Sequence, residues 1–249
     1  MRARALLVLL ALSLATAGCG GDDAQAEQRE LVVLGASSLP GVLEELAADY
    51  EAAHPGTTVI VSTGGSSGLT RQVVGGIPAD LLVVASPESL QPVLDAGEAV
   101  GEPVLVATNR IQIAVPAGNP AGVRGLADLA RPELAVALCA PQVPCGAVAL
   151  RAFDAAGLSA APDTLEQDVR AVLAKVRLGE VDAGVVYTTD VLAGGLDVVG
   201  VPLPGAPSTD YPAVLLRASD QPAEARQFLD LLASPVGQTV LTGAGFSLP

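Results

Sequence analysis

Tryptophan is absent from the 249 residues, only six residues are Phe or Tyr, and histidine and lysine occur once each, as His54 and Lys175. So few aromatic side chains argue against a surface that stacks sugars or bases. A single histidine leaves no second imidazole for a zinc site and no obvious general base for a nucleophile. Positive charge is also scarce. With 13 basic residues against 27 acidic ones the net charge is −14, which argues against binding nucleic acid or an anionic membrane surface. Half of the residues are apolar, enough for a substantial core in one large domain or two small lobes. There is no internal repeat, heptad pattern or low-complexity tract.

The first residues read as a targeting segment. "MRARALLVLLALSLATAGCGG" carries Arg2 and Arg4, then an apolar run from Ala5 to Ala15, then small residues up to Gly18 and Cys19. This is the pattern of a secretory signal peptide over residues 1–18, too short to be read first as a membrane span. Cys19 behind Ala17-Gly18 matches a bacterial lipoprotein cleavage box, with Thr16 where a leucine is more usual; an ordinary cleaved signal with an incidental cysteine is the alternative. Loss of residues 1–18 leaves 11 basic against 27 acidic residues, a net charge of −16. The polar stretch from Cys19 to Glu30 then reads as a linker between lipid and folded body. Export places Cys139 and Cys145 in an oxidising compartment, where a disulfide is the default expectation for an even pair.

Beyond the linker, short β-branched runs alternate with helical patterns, which predicts an α/β architecture with largely parallel strands. Strands are expected at Leu31–Ala36, Thr57–Thr63, Ala79–Ser86 and Leu134–Ala140, at "AGVVY", at "LDVVGVPLP" and at "AVLLR". The helices expected between them include one over "TLEQDVRAVLAKVRLGE", where Val169, Val172, Leu173 and Val176 recur at helical spacing. A new unit is expected to start at Asn109. Strand, Ser/Gly-rich turn and helix N-terminus recur in that order, and open α/β sheets bind ligands where such turns cluster. "TGGSSGLTRQ" (Thr63–Gln72) is one such turn. It has Leu69 and Thr70 where a nucleotide-binding P-loop has Lys-Thr, so an anion there would be held by hydroxyls and backbone amides.

Six segments taken in order carry a resemblance. "ASSLPGVLEELAADYEAAHPG", "GGSSGLTRQVVGGIPADLLVVAS", "PQVPCGAVALRAF", "EQDVRAVLAKVRLGEVDAGVVYTTD", "YPAVLL" and "ASPVGQTVLTGAGF" together resemble the molybdate-binding proteins of bacterial ABC transporters, from Leu31 to Pro249. The resemblance implies a periplasmic-binding-protein type II fold, two α/β lobes joined by a hinge with the oxyanion in the cleft. Lobe 1 would comprise residues 31–108 and 211–249, and lobe 2 residues 109–210. It implies no enzymatic activity and no cofactor. The expected ligand is molybdate or tungstate and the expected partner a membrane permease, reached by an exported monomer held to the membrane by its lipid anchor.

By the same resemblance, Ser38 and Ser66 offer hydroxyls, Ala85, Cys145 and Val169 offer backbone N–H groups, and Tyr187 offers its phenol. Blander readings stand beside these: Ser38 and Ser66 as helix N-caps, Tyr187 as a packing residue, Arg71 as a surface or lobe-bracing charge, and His54 in a surface turn. The chain departs from the family where Gly-Asp-Pro-Glu is usual and Cys139-Ala140-Pro141-Gln142 stands, with Cys145 in place of Ala. Other classes remain in view: a receptor for another tetrahedral oxyanion such as sulfate, a non-binding surface lipoprotein, and a hydrolase using "GGSSG". The hydrolase lacks a base, because His54 lies in the predicted surface turn.

Overall fold

Residues 29–249 are described by a computed structural model; the expected signal peptide, Cys19 and the expected linker as far as Gln28 lie outside the described residues. The chain opens with β1 (Arg29–Ala36), α1 (Pro40–Ala53), β2 (Thr57–Gly64), α2 (Ser66–Val74), β3 (Leu81–Val83) and α3 (Pro87–Asp95). A single strand of 18 residues follows, β4 (Ala99–Pro116). Then come β5 (Val136–Cys139), α4 (Pro144–Ala155), β6 (Thr164–Glu166), α5 (Val169–Arg177), β7 (Ala183–Tyr187), α6 (Thr188–Gly194) and β8 (Val198–Pro202). The chain closes with β9 (Ser208–Leu216), α7 (Pro222–Ala233) and α8 (Pro235–Gly243). Helices α1, α3, α4, α7 and α8 each begin at a proline, whose fixed φ suits the first helical position and whose missing N–H costs nothing there.

The strands follow the order β2-β1-β3-β9-β4-β7-β5-β6, with β8 also on β4. Strands β1, β2 and β3 pair in parallel, as do β5, β6 and β7, whereas every pairing of β4 or β9 is antiparallel. β4 changes partners along its length. Residues from Ala99 to Arg110 pair with β9, and residues from Ile111 to Pro116 pair with β7 and β8.

The apolar cores divide at the same place. One cluster holds Ile111, Ile113, Val136, Val148, Phe153, Val172 and Val185. A second packs Leu31, Val33, Leu43, Leu81, Phe228 and Leu232 on one face of β1 and β3, and a third packs Leu34, Leu69, Leu82, Leu90 and Val214 on the other. Successive residues of these parallel strands are buried on opposite faces, so the strands read as continuous apolar runs. This is the two-lobed binding-protein architecture, each lobe with its own core.

Several sequence expectations are corrected. The sheet is mixed, because β4 and β9 run against their neighbours. Residues 99–108 belong to β4, which runs on unbroken through Asn109; two register shifts against β9, at Val100/Val104 and Leu105/Ala107, blur the alternation there. The third strand spans only Leu81–Val83; Val84, next in register opposite Pro212, still donates its N–H to the Pro212 carbonyl, but proline has no N–H to return the bond and the ladder ends. "TLE" is a strand on the edge of β5, and the helix expected over it starts only at Val169, where Asp168 caps it through the Ala171 N–H. Helix α6 was not anticipated, and β9 begins at Ser208, ahead of the expected "AVLLR".

Asp80 ties lobe 1 together. Its buried carboxylate accepts the Val32 N–H (2.7 Å), the Ser219 hydroxyl (2.6 Å) and the Gln221 N–H (3.3 Å), joining β1 to the chain beyond β9. Asp80→Ala leaves the part-buried Val32 N–H without an acceptor, while the Gln221 N–H keeps Ser219 Oγ at 3.1 Å, at a cost of about 1–3 kcal/mol. Urea denaturation should show a lowered midpoint with an unchanged slope; an unchanged midpoint would show the carboxylate to be dispensable.

Candidate functional site

The turns at the carboxyl ends of β1, β2, β3, β5, β6 and β7 meet between the lobes. Ser38, Ser66 and Ala85 from lobe 1 and Cys145, Val169 and Tyr187 from lobe 2 line one small cavity of about 10 Å³. All six sequence-predicted positions are therefore brought together. Ser66, Cys145 and Val169 lie in the first turns of α2, α4 and α5, where N–H groups have no intrahelical partner and the helix dipole is positive. The serines are not helix caps. The N-cap positions of α1 and α2 are Leu39 and Gly65, and neither helix has a side-chain cap hydrogen bond.

Ala85 plays a different part from the one expected. Its N–H donates to Ser66 Oγ at 3.0 Å, so that amide is engaged, and the serine proton is left to point elsewhere. Thr209 in turn donates its hydroxyl to the Ala85 carbonyl at 2.5 Å. Tyr187 is 1 % exposed, and its hydroxyl is buried without a hydrogen-bond partner. A buried, unsatisfied hydroxyl costs free energy, and this one lines the cavity. Burial pushes the Tyr187 phenol well above its ordinary pKa, with the neighbouring Tyr211 adding to the rise; the group remains a proton donor at any physiological pH.

Three residues behind the site carried no sequence signal of their own. Asn109, 1 % exposed, donates its amide to Thr189 Oγ1 (2.9 Å) and to Tyr211 Oη (3.5 Å). Tyr211 and Ser38 share a hydrogen bond of 2.8 Å. Either hydroxyl can donate in that bond; with Asn109 also donating to Tyr211 Oη, the arrangement in which Tyr211 donates leaves the Ser38 proton available to a ligand. Asn109 and Tyr211 sit on β4 and β9 where these cross between the lobes, and Thr189 is on α6. Tyr211 lies within the quoted "YPAVLL", but sequence offered no reason to connect it to Ser38.

The lobes touch directly at the cavity rim. Ser67 Oγ donates to the Gln142 carbonyl at 3.0 Å across the cleft. A Cβ on Gly65 would stand 2.6 Å from the Gln167 carbonyl oxygen, so glycine is what permits this approach. Cys139 and Cys145 are joined as a disulfide, as expected. The loop they close leads into α4, and Gly146 just beyond packs so tightly on the Ala140 carbonyl that a Cβ there would collide with it.

The sequence profile of the bacterial extracellular solute-binding protein family matches residues 31–247. The chain belongs to that family. This solute-binding protein is 37% identical over 223 residues to the molybdate-binding protein ModA of Mycobacterium tuberculosis, covering 89% of this chain and 85% of that protein. It is 30% identical over 251 residues to the putative ABC transporter substrate-binding lipoprotein YvgL of Bacillus subtilis, covering 97% and 96%. Among solved structures, the periplasmic molybdate-binding protein of Azotobacter vinelandii superposes with a TM-score of 0.76 at 23% identity, covering 88% of this chain and 99% of that one. The sulfate-binding protein SubI of Mycobacterium tuberculosis superposes with a TM-score of 0.78 at 19% identity, covering 88% and 86%. At these identities the superpositions establish the fold. Among the described residues no helix is long and apolar enough to cross a membrane.

Two carboxyl groups flank the cavity of this solute-binding protein, and both are restrained. Asp168 lines it, but its Oδ1 accepts the Ala171 N–H at 3.0 Å as the cap of α5. Asp190 is fully buried behind Tyr187 and accepts the Tyr187 N–H at 2.9 Å. Burial raises the Asp190 pKa to about 7, outweighing the lowering effect of that hydrogen bond.

A raised carboxyl pKa means that the folded state holds a proton which the unfolded chain has released. The stabilisation is complete below the unfolded value of about 4 and is lost as pH rises through about 7. Asp190→Asn keeps an acceptor for the Tyr187 N–H and abolishes the titration. Its melting temperature should gain on wild type steadily between about pH 4 and pH 7 and level off above that. A difference independent of pH in differential scanning fluorimetry would show that Asp190 is ionised throughout.

Proposed function

We propose that this solute-binding protein captures one tetrahedral oxyanion, molybdate or tungstate, and delivers it to the permease of an ABC transporter without chemical change. The observation that carries this reading is the buried, partnerless Tyr187 hydroxyl, lining a cavity otherwise surrounded by helix N-termini and serine hydroxyls. The identity to relatives named as molybdate-binding proteins supports it. Molybdate and tungstate carry no proton near neutral pH, so they accept hydrogen bonds and donate none. Each bond to such a charged ligand contributes about 1.5–3 kcal/mol. No Arg, Lys or His lines the cavity, so the anion is neutralised by dipoles, as at other helix N-termini. No nucleophile–base pair is present among the cavity residues, which fits a receptor rather than an enzyme.

A cavity of about 10 Å³ has room for roughly one water-sized sphere. Four oxygens therefore enter only when the lobes part, breaking the Ser67–Gln142 bond, and the lobes close again on the ligand. We place the lobe boundaries at residues 31–108 with 211–249, and 109–210, and read the working unit as a monomer. Ser38, Ser66 and Tyr187 act through side chains, Cys145 and Val169 through backbone N–H groups, and Ala85 by orienting Ser66.

Calorimetry should show one tight site for molybdate and for tungstate, with sulfate at least a hundredfold weaker; equal affinity for sulfate would overturn the molybdate reading. Ser38→Ala and Ser66→Ala should each weaken binding about 10- to 100-fold. Tyr187→Phe should weaken binding by a similar or smaller factor and, by removing an unsatisfied hydroxyl, raise the melting temperature of the ligand-free protein. Unchanged affinity in all three variants would place the ligand elsewhere.

Export and lipid anchoring through Cys19 complete the proposal, supported by the leader pattern and by a relative named as a lipoprotein. Cys19→Ser should move the protein from the membrane to the soluble fraction with molybdate affinity unaltered. Wild-type protein with an unmodified Cys19 thiol by mass spectrometry would remove the anchor.

A further inference from the structure

A second, larger cavity of about 740 Å³ lies beside the first. Val143 and Pro144 border both cavities, and Ser67 and Ser86 of the larger one follow directly on Ser66 and Ala85 of the smaller. The Ser67–Gln142 hydrogen bond closes the lobes at this wall. Two arginines line the larger cavity from opposite lobes, Arg71 on α2 and Arg151 on α4, together with one acidic residue, Glu88. Among the described residues neither arginine forms an ion pair. Arg151 makes one polar contact, a long 3.4 Å bond to the Ser208 carbonyl. Arg71 is thus a charge facing the cleft, not a brace between the lobes.

The inner cavity has no cation, and the attraction of a helix terminus fades within about one turn. The chain as a whole carries a charge of −14, which repels a dianion at longer range. Something local has to offset that repulsion on the approach path. We propose that Arg71 and Arg151 form an outer, transient docking site for the tetrahedral dianion, from which it passes into the inner cavity when the lobes part. The Arg151 charge already reaches the inner wall, where it acts on the Tyr187 phenol in the sense of lowering its pKa against burial. Placing the cations outside the binding cavity speeds arrival without deepening the final well, so release to the permease is not slowed. This proposal rests on the oxyanion reading above.

The test is the association rate of molybdate, followed by stopped-flow tyrosine fluorescence, since the chain has no tryptophan and Tyr187 is at the site. Both arginines are exposed, so Arg71→Gln with Arg151→Gln should fold. At low ionic strength, with a screening length of about 30 Å, the double variant should associate about 10-fold more slowly than wild type, with its dissociation rate unchanged. The deficit should vanish near 1 M NaCl, where the screening length is about 3 Å. Arg71→Lys with Arg151→Lys should restore the rate, and Arg124→Gln, an exposed charge away from the cleft, should leave it unaltered. Equal rates at low salt, a deficit that persists at high salt, or a change confined to dissociation would overturn the proposal. Wild-type protein that binds no tetrahedral oxyanion in the calorimeter would instead overturn the oxyanion reading itself.

Discussion

Everything at the site depends on the antiparallel pairing of β4 with β9. These two strands are the crossing between the lobes, joined through Asn109↔Thr209 and Arg110↔Ser208 before β4 moves on to β7 and β8. Backbone ladders hold spacing and direction firmly but permit bending and twisting. The site is connected to this crossing at three points: Tyr211 to Ser38, Thr209 to Ala85, and Asn109 to Thr189. A change of lobe angle is felt at the ligand donors, because the donors are hydrogen-bonded to the strands that bend.

The proposed donor set answers a particular electrostatic problem. A dianion could be held by arginine or lysine, at the cost of a deep well and slow release. Here dipoles substitute for charges. Each proposed donor is already fixed, by Ala85 against Ser66, by Asp168 capping α5, and by Tyr211 against Ser38, so the proposed site would need little ordering on binding. The cost is stored in the unliganded protein as a buried phenol without a partner and a buried carboxyl driven towards neutrality. Strain of this kind persists at functional sites because the surrounding structure over-determines it.

The disulfide belongs to the same logic. Closing the short loop between Cys139 and Cys145 removes only about 2 kcal/mol of unfolded-chain freedom, a modest contribution to stability. Its position matters more. The bridged segment carries the Gln142 carbonyl that accepts from Ser67 across the cleft, and it ends in the first turn of α4. Pro141 and Pro144 stiffen it further. One short, cross-linked loop thus supplies a lobe-closing contact and, at Cys145, part of the cavity wall.

Much of this was legible in the chain itself. The apolar runs of β1, β2 and β7, the helices near Pro40, Pro144, Pro222 and Pro235 and the cysteine pair follow from local pattern, whereas the six cavity positions came from the resemblance that the ordered motifs carry. Local pattern is reliable where a residue's neighbours in sequence are also its neighbours in space. It failed for residues 99–108, for "TLE" and for α6, where pairing with a distant strand or packing on another element decided the conformation. It was also silent on hydrogen-bond partners. The engagement of the Ala85 amide by Ser66, the partnerless Tyr187 hydroxyl, the buried Asp190 and the outward-facing Arg71 and Arg151 are properties of pairs far apart in the chain. Composition and motif determined which chemical groups are available and near which turns they lie. Only tertiary packing decided which donors are already spent, which are left over for a ligand, and which charges remain outside the cavity, because each of those outcomes is set by burial and distance between segments that the linear sequence does not bring together.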